Sequence, residues 1–428
     1  MLSATLLLCA ALAAAPADST ALTQRPDSLA VASARAVPPP ADSVLRADPL
    51  CLDPGRAGEL RIGLESLSFV RDNEYKSPLM KGYTLPGIWL RPMLTWQPLA
   101  LLRLEAGAHL LRYWGANVYP NINYTDIATW KGGQAQHGFH CVPWFRAHLQ
   151  AAPGLHILLG SLQGGSSHGV VEPLWNDELD LTADPEAGLQ VVWEARRGRL
   201  DAWVDWESFI FRSDDHQESF TFGLSARLGP WGGRRGAPRW YVPLQALFRH
   251  RGGEINTADT ERSVKTWLNA AAGLAVEGEL RGTRLPVRLS AEAAVCYFGQ
   301  QSGTMLPFDR GEGLWVKAGA QLWRCTLEAA WWQCRDFVSV MGSPLFGSMS
   351  VSESGLTLRR PRTALLRASY AHRLAPGIGW GVRAEAWGHL PVTSVAADGA
   401  RARTTGKVSV AAGVYLRVSP SFLLRRLK

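Results

Sequence analysis

Residues 199–211 read RLDAWVDWESFIF and place three carboxylates within seven positions. Asp201, Asp205 and Glu207 share one parity with Arg199, Trp203, Phe209 and Phe211. Leu200, Ala202, Val204, Trp206, Ser208 and Ile210 take the other. Carboxylates flanking an indole can hold a sugar by stacking and hydroxyl hydrogen bonds, or line a cation-favouring constriction. The plainer alternative is a hydrated wall whose charges pair with Arg227 or Arg196 on adjoining strands. Glycoside hydrolysis would need two carboxyls ~5–9 Å apart in a closed site, and an acidic wall alone does not specify one.

Other candidate groups are spread along the chain in the same alternating fashion. Arg103, Arg288, Lys317 and Arg383 are basic, and Glu105, Glu194, Glu292 and Glu385 acidic, each between apolar neighbours. Facing columns of opposite charge set a transverse field across a pore and tune its ion selectivity. His109, His148 and His156 lie on separate segments with no Glu or Cys at ligand spacing, so no metal site is expected. Ser208 with His216 has the residue types of a lipase dyad, but His216 falls too far along the following turn. GSLQGGSSHG, residues 160–169, lacks a nucleophile elbow and reads as an outer loop. The expectation is a protein without catalytic residues, cofactor or enzyme activity.

The elements that must carry these residues are strands, because only an extended chain sends successive side chains to opposite faces. The alternation recurs along the chain. Leu102, Leu104, Ala106, Ala108 and Leu110 are interleaved with Arg103, Glu105 and His109. Val287, Leu289, Ala291, Ala293 and Val295 oppose Arg288, Ser290 and Glu292, and Val408, Val410, Ala412, Val414 and Leu416 oppose Lys407, Ser409 and Arg417. Segments of about ten residues suit a tilted bilayer crossing, whereas soluble strands average about five or six. Tight connections alternate with longer ones at about 71–86, 113–143, 164–185, 251–265, 299–312, 336–361 and 392–406. The fold class that follows is all-β: a single transmembrane antiparallel β-barrel of about sixteen strands (14–18), with short periplasmic turns and long extracellular loops. A barrel that wide leaves a polar, watery lumen, so Asp201, Trp203, Asp205, Glu207 and Arg227 are expected to line it, with the charged residues above.

Aromatic residues on the apolar parity belong at the membrane interfaces. Trp96, Trp193, Trp240, Tyr370 and Trp380 fall near the short-turn ends; Phe220, Phe222, Phe248 and Trp331 fall near the long-loop ends. Residues 1–17 read as a signal peptide, 18–56 as a disordered, Pro- and Ala-rich periplasmic linker, and 57–428 as the barrel. Charged residues make up 19% of the chain, below the ~25% of soluble proteins. The formal charge of +8 comes from dispersed residues, so a nucleic-acid partner is not expected. Cys51, Cys141, Cys296, Cys325 and Cys334 show no metal-ligand spacing.

With this pattern, and the hairpin run LQVVWEARRGRLDAWVDWESFIFRSDDHQESFTFGLSARL, the chain resembles bacterial outer-membrane β-barrel proteins, porin-like barrels of the Bacteroidota type. The resemblance implies residence in the cell outer membrane among lipid and lipopolysaccharide, inserted by the barrel assembly machinery. It implies passive diffusion of small polar solutes or ions. The alternative is a non-conducting structural or binding barrel, an adhesin or envelope-complex component; a barrel enzyme is more remote. Loops 113–143 and 336–361 are long enough to fold into the lumen or cover its mouth.

Overall fold

The structure is a computed structural model that describes residues 50–114, 139–208, 217–233, 237–252, 264–280 and 286–427. The expected signal peptide, most of the linker, most of loop 113–143 and His216 lie outside these residues.

The alternating segments become long strands. They are β1 (Glu59–Lys76), β2 (Lys81–Leu99), β3 (Leu102–Tyr113), β4 (Phe139–Ala152), β5 (Leu155–Ser161), β6 (Ala187–Ala195) and β7 (Gly198–Ser208). Next come β8 (Ser219–Gly232), β9 (Arg239–Arg251), β10 (Lys265–Leu280), β11 (Val287–Ser302), β12 (Arg310–Leu322) and β13 (Cys325–Arg335). The remainder are β14 (Thr357–Arg359), β15 (Arg362–Ala375), β16 (Ile378–His389), β17 (Thr393–Val395), β18 (Arg401–Arg403), β19 (Lys407–Val418) and β20 (Ser421–Arg426). Consecutive long strands pair antiparallel, and β1 pairs with β19 from Ser66↔Val418 to Glu74↔Val410. β20 continues β19 past Ser419 and Pro420 along the lower part of β1. The cylinder is therefore closed, with sixteen staves and no free edge. The short strands β14, β17 and β18 form a separate three-stranded sheet in the outer loops.

One parity of each strand forms the outer skin. Val295, Leu327 and Leu366 are each 62% exposed, and Trp193, Val410 and Val414 are exposed as well. Exposed aliphatic side chains in unbroken rows would be untenable in water; they are the lipid face of an outer-membrane barrel. Trp96 and Trp240 are exposed, while Phe220, Phe222, Phe248, Trp331, Tyr370 and Trp380 are half-buried. Tyr370 packs against Trp380 at 5.3 Å and Trp323 at 6.2 Å near one rim, and Phe220 against Trp206 at 5.4 Å near the other.

Two expectations need correction. The first connection is not a loop over 71–86: β1 runs to Lys76 and β2 begins at Lys81, because Arg71, Asn73 and Tyr75 keep the inward-facing rhythm to the rim. The lumen, moreover, is not simply polar and watery. Trp89, Trp203, Trp267, Trp315, Trp332 and Trp387 point inward and are buried. Glycines on adjoining strands make room for these rings: a Cβ at Gly223 would collide with Trp203, and one at Gly313 with Trp332. The five described cysteines are free thiols.

Candidate functional site

What the inward indoles pack against is the chain's own loops. Residues 162–186, between β5 and β6, carry a 3-10 turn (Gly165–His168) and one α-helical turn, α1 (Leu179–Thr182). Leu162, Val171, Leu174, Trp175, Leu179 and Leu181 from this loop are buried in one apolar cluster with Phe337, Val338, Val340, Met341, Leu345 and Phe346 from 336–361. The loops touch directly, through a bridge between Trp175 and Met341 and a hydrogen bond from the Ser339 hydroxyl to the Pro173 carbonyl. Loop 162–186 spans the bore: it meets β2 at Trp89, β9 at Gln245, β12 at Lys317, β15 at Arg367 and β16 at Arg383.

Charges fix the loop to the wall. Glu172 accepts from Arg367 at 2.8 Å and sits 3.4 Å from Lys317. Arg383 is bonded to Asp177, and Arg71 lies 3.1 Å from Glu178 and 3.2 Å from Glu385. Burial disfavours the Glu172 carboxylate, but Arg367 and Lys317 outweigh it and hold the group at about 2. Asp180 has no such cation among the described residues, and burial pushes its carboxyl up to about 7.

His168, fully buried, lies flat on Trp203 with ring centres 3.5 Å apart and planes within 5°. Its Nδ1 is 3.1 Å from Asp201 and its Nε2 2.9 Å from Glu186. Two carboxylate acceptors require both ring nitrogens to donate, so this is an imidazolium. Burial opposes the charge; Glu186 and Asp201 override it and raise the group to about 9.

The acidic run thus faces inward, as its parity requires: Asp205 and Glu207 border a lumenal cavity of about 420 Å³, whereas Asp201 is sealed off. Asp201 is fully buried beneath His168 and accepts from Gln190 at 2.9 Å and Arg199 at 3.1 Å. Asp205 accepts from the Ala187 amide, and Glu207 is bonded to Arg249, Ser219 and Thr221. Trp203 is the floor under His168 and no sugar platform. Of the other charged residues, Arg103 pairs with Glu105 at 3.0 Å and Arg227 with Glu277 at 2.5 Å. Lys317, Arg383 and Glu385 belong to the loop anchor, and Glu194, exposed, lies 3.6 Å from Arg199. Arg288 and Glu292 line a cavity of about 990 Å³ beneath the loop, facing the periplasmic end. A second cavity, about 420 Å³, runs from Asp53 and Ser421 at that end up to Trp175 and Met341.

At the outer rim the strand register assembles a group that local sequence does not announce. Trp387 is paired with Ser409 and His389 with Lys407, which puts His389 and Ser409 on one face, diagonally adjacent. Ser409 Oγ lies 3.0 Å from His389 Nε2 and accepts from the Lys76 amide at 2.8 Å. With that lone pair occupied, the hydroxyl proton is free to point at Nε2. His389 Nδ1 faces Thr363 Oγ1 at 3.4 Å, consistent with its proton on Nδ1. A cavity of about 360 Å³ opens beside His389, lined by Thr363, Leu390, Val392, Thr404 and Lys407 and roofed by Ser77, Pro78 and Leu358. Ser208 does not present a free hydroxyl proton: it donates to the Gln217 carbonyl and is buried after a bulge, and His216 lies outside the described residues.

Comparison with known proteins bears on this geometry. No curated protein matches the chain. Solved outer-membrane barrels align over most of it at low identity. In-vitro folded OmpT of Vibrio cholerae, in its trimer form, is 8% identical over 84% of this chain and 99% of its own, with a TM-score of 0.42. Pseudomonas aeruginosa OpdK with vanillate is 11% identical over 86% and 100%, at 0.43. OccK9 (OpdG) of the same organism is 13% identical over 86% and 98%, at 0.47. The family model described as "Lipid A 3'-O-deacylase-type" matches residues 52–427, nearly the whole described barrel. A deacylase is an enzyme, so this match overturns the expectation of a barrel without enzymatic character. The chain belongs to the Lipid A 3'-O-deacylase-type family.

Proposed function

We propose that this outer-membrane barrel hydrolyses an acyl ester of an outer-leaflet lipid, with Ser409 as nucleophile and His389 as its general base. The observation that carries the reading is the 3.0 Å contact between Ser409 Oγ and His389 Nε2, with the Lys76 amide on the other side of the oxygen. Oγ attacks the ester carbonyl while Nε2 takes its proton, and the imidazolium then protonates the departing alkoxide. Water deprotonated by the same nitrogen releases the fatty acid from the acyl-serine. Thr363 holds the ring orientation in place of the carboxylate found in many triads. Ser409 is fully buried, so the ester must enter through the cavity beside His389 as the roof over residues 77–79 lifts.

The test is purified protein with lipid A in mixed micelles, reading released fatty acid by mass spectrometry. Ser409→Ala and His389→Gln should each lower turnover by at least ~10², while heat-modifiable migration shows that the barrel is intact. Full turnover by Ser409→Ala would sink the assignment.

Passive diffusion is the second reading, favoured by the two charged cavities open toward the periplasm. It requires the loop 162–186 to leave the bore, because Trp175, Leu179 and Met341 close the path above those cavities. Steady single-channel current from the unaltered protein would support it.

A further inference from the structure

Just outside the rim cavity, the wall of the barrel carries a second feature. Arg335, Arg359, Arg360, Arg362 and Arg403 border a groove of about 760 Å³ in which Glu312 is the sole carboxylate among the described residues. Arg335 is compensated by Asp336 at 3.4 Å and stands opposite Glu312 in register. Arg359, Arg360, Arg362 and Arg403 are exposed and have no ion-pair partner among the described residues. Nothing in the fold requires four uncompensated guanidinium groups to converge, and their mutual repulsion opposes it.

Backbone register brings them together. In the outer three-stranded sheet Arg359 pairs with Thr393, and Thr393 with Arg403, so both arginines stand in one cross-strand row. Arg360 takes a left-handed conformation, φ 54°, at the corner where the loop re-enters β15. Arg362 is the first residue of β15 and has the outward, lipid-facing parity of Leu366 and Ala368. The floor of the groove includes Val295 and Leu314, which belong to the same apolar skin.

A crown of arginines above an apolar wall, at the long-loop end of the barrel, matches the cross-section of an outer-leaflet lipid. Acyl chains would lie on Val295 and Leu314, and the head group would reach the guanidinium forks. Guanidinium binds phosphate oxygens in pairs and is weakly hydrated, so a phosphomonoester suits it better than a neutral sugar. The geometry points to a binding site for the phosphate of a phosphorylated outer-leaflet lipid, formed by Arg359, Arg360, Arg362 and Arg403. The site shares Arg362, Val392 and Arg403 with the cavity beside His389. It stands on the rim geometry and does not depend on Ser409 being a nucleophile.

The test uses full-length protein with Ser409→Ala, so that no lipid is consumed, and native mass spectrometry of retained lipid. The probes are diphosphoryl lipid A, its fully dephosphorylated form and inorganic phosphate. Diphosphoryl lipid should be retained about tenfold or more over the dephosphorylated form, and the quadruple Arg→Gln variant should lose that preference. The quadruple Arg→Lys variant, which keeps charge but not the fork, should retain part of it. Equal retention of both lipids, or an unchanged preference in the Gln variant with an intact barrel, would overturn the proposal. Displacement by equimolar inorganic phosphate would overturn the lipid assignment in favour of a free-anion site. A hydrolysis assay on the Ser409-intact Gln variant separates this outcome from failure of the catalytic reading.

Discussion

Raising the pH should unlock the loop that fills the bore, and His168 sets the scale. Released from its carboxylates, an imidazole titrates near ~6.5; between Asp201 and Glu186 it is held at about 9. A group whose pKa is raised in the docked state gives its full stabilisation below the free value and loses it as pH climbs through the docked one. At about 1.36 kcal/mol per pH unit, a gap of roughly 2.5 units is about 3 kcal/mol, or ~300-fold in the docking equilibrium. The stacking on Trp203 and the apolar contacts of Trp175 and Leu179 remain, so the loop loosens without the barrel opening. The assay is hydrogen exchange, corrected for intrinsic rate, at the Gly165 and Ser166 amides, which bond to Glu186 and Asp180. Asp180, raised to about 7, titrates at lower pH and adds its own decline there; between about pH 7 and pH 10, where His168 alone of the two titrates, protection should fall by two to three decades. His168→Gln should show the loosened level at pH 7. Constant protection across that range, or a Gln variant indistinguishable from the parent, would refute the imidazolium assignment.

Other consequences can be checked with simpler measurements. Arg383→Ala removes the ion-pair partner of Asp177, while Glu385 keeps Arg71 and Arg367, and should cost about 3–5 kcal/mol of loop docking, read as susceptibility to proteolysis between 162 and 186. Phe346→Ala, which hollows the contact with Trp315, Trp332 and Trp387, should cost about 3–5 kcal/mol in the midpoint of loop release. Leu366→Arg on the lipid face should weaken folding into vesicles by about 2–4 kcal/mol, measured by urea titration. Deleting residues 165–182 should raise the current in planar bilayers well above that of the unaltered protein.

The barrel was legible because its rule is local. Val408, Val410, Ala412 and Val414 state their orientation two residues at a time, and Lys407, Ser409 and Arg417 state the opposite one. The filling of the lumen was written in the same strands, as indoles on the inward parity at 89, 203, 267, 315, 332 and 387. Those rings imply an apolar partner, which an expectation of a watery bore set aside. The loop anchor could not be read, because Glu172, Asp177 and Glu178 pair with Arg367, Arg383 and Arg71, residues far away in the chain. His389 and Ser409 were hidden for a related reason: only the register of β16 on β19 makes them neighbours. The enzymatic character became visible through family membership, since no contiguous motif carries it.

The loop in the bore also depends on the closure of the cylinder. Its anchors sit on β1, β2, β7, β9, β12, β15 and β16, staves spread round the whole circumference, and those on β1 and β2 come near those on β15 and β16 only when β1 meets β19. In a water-soluble domain, collapse of an oily interior drives assembly. Here the interior has its full set of walls only once the cylinder is closed. The loop's full set of anchors therefore exists only in the closed cylinder, and its packing reports that closure is complete.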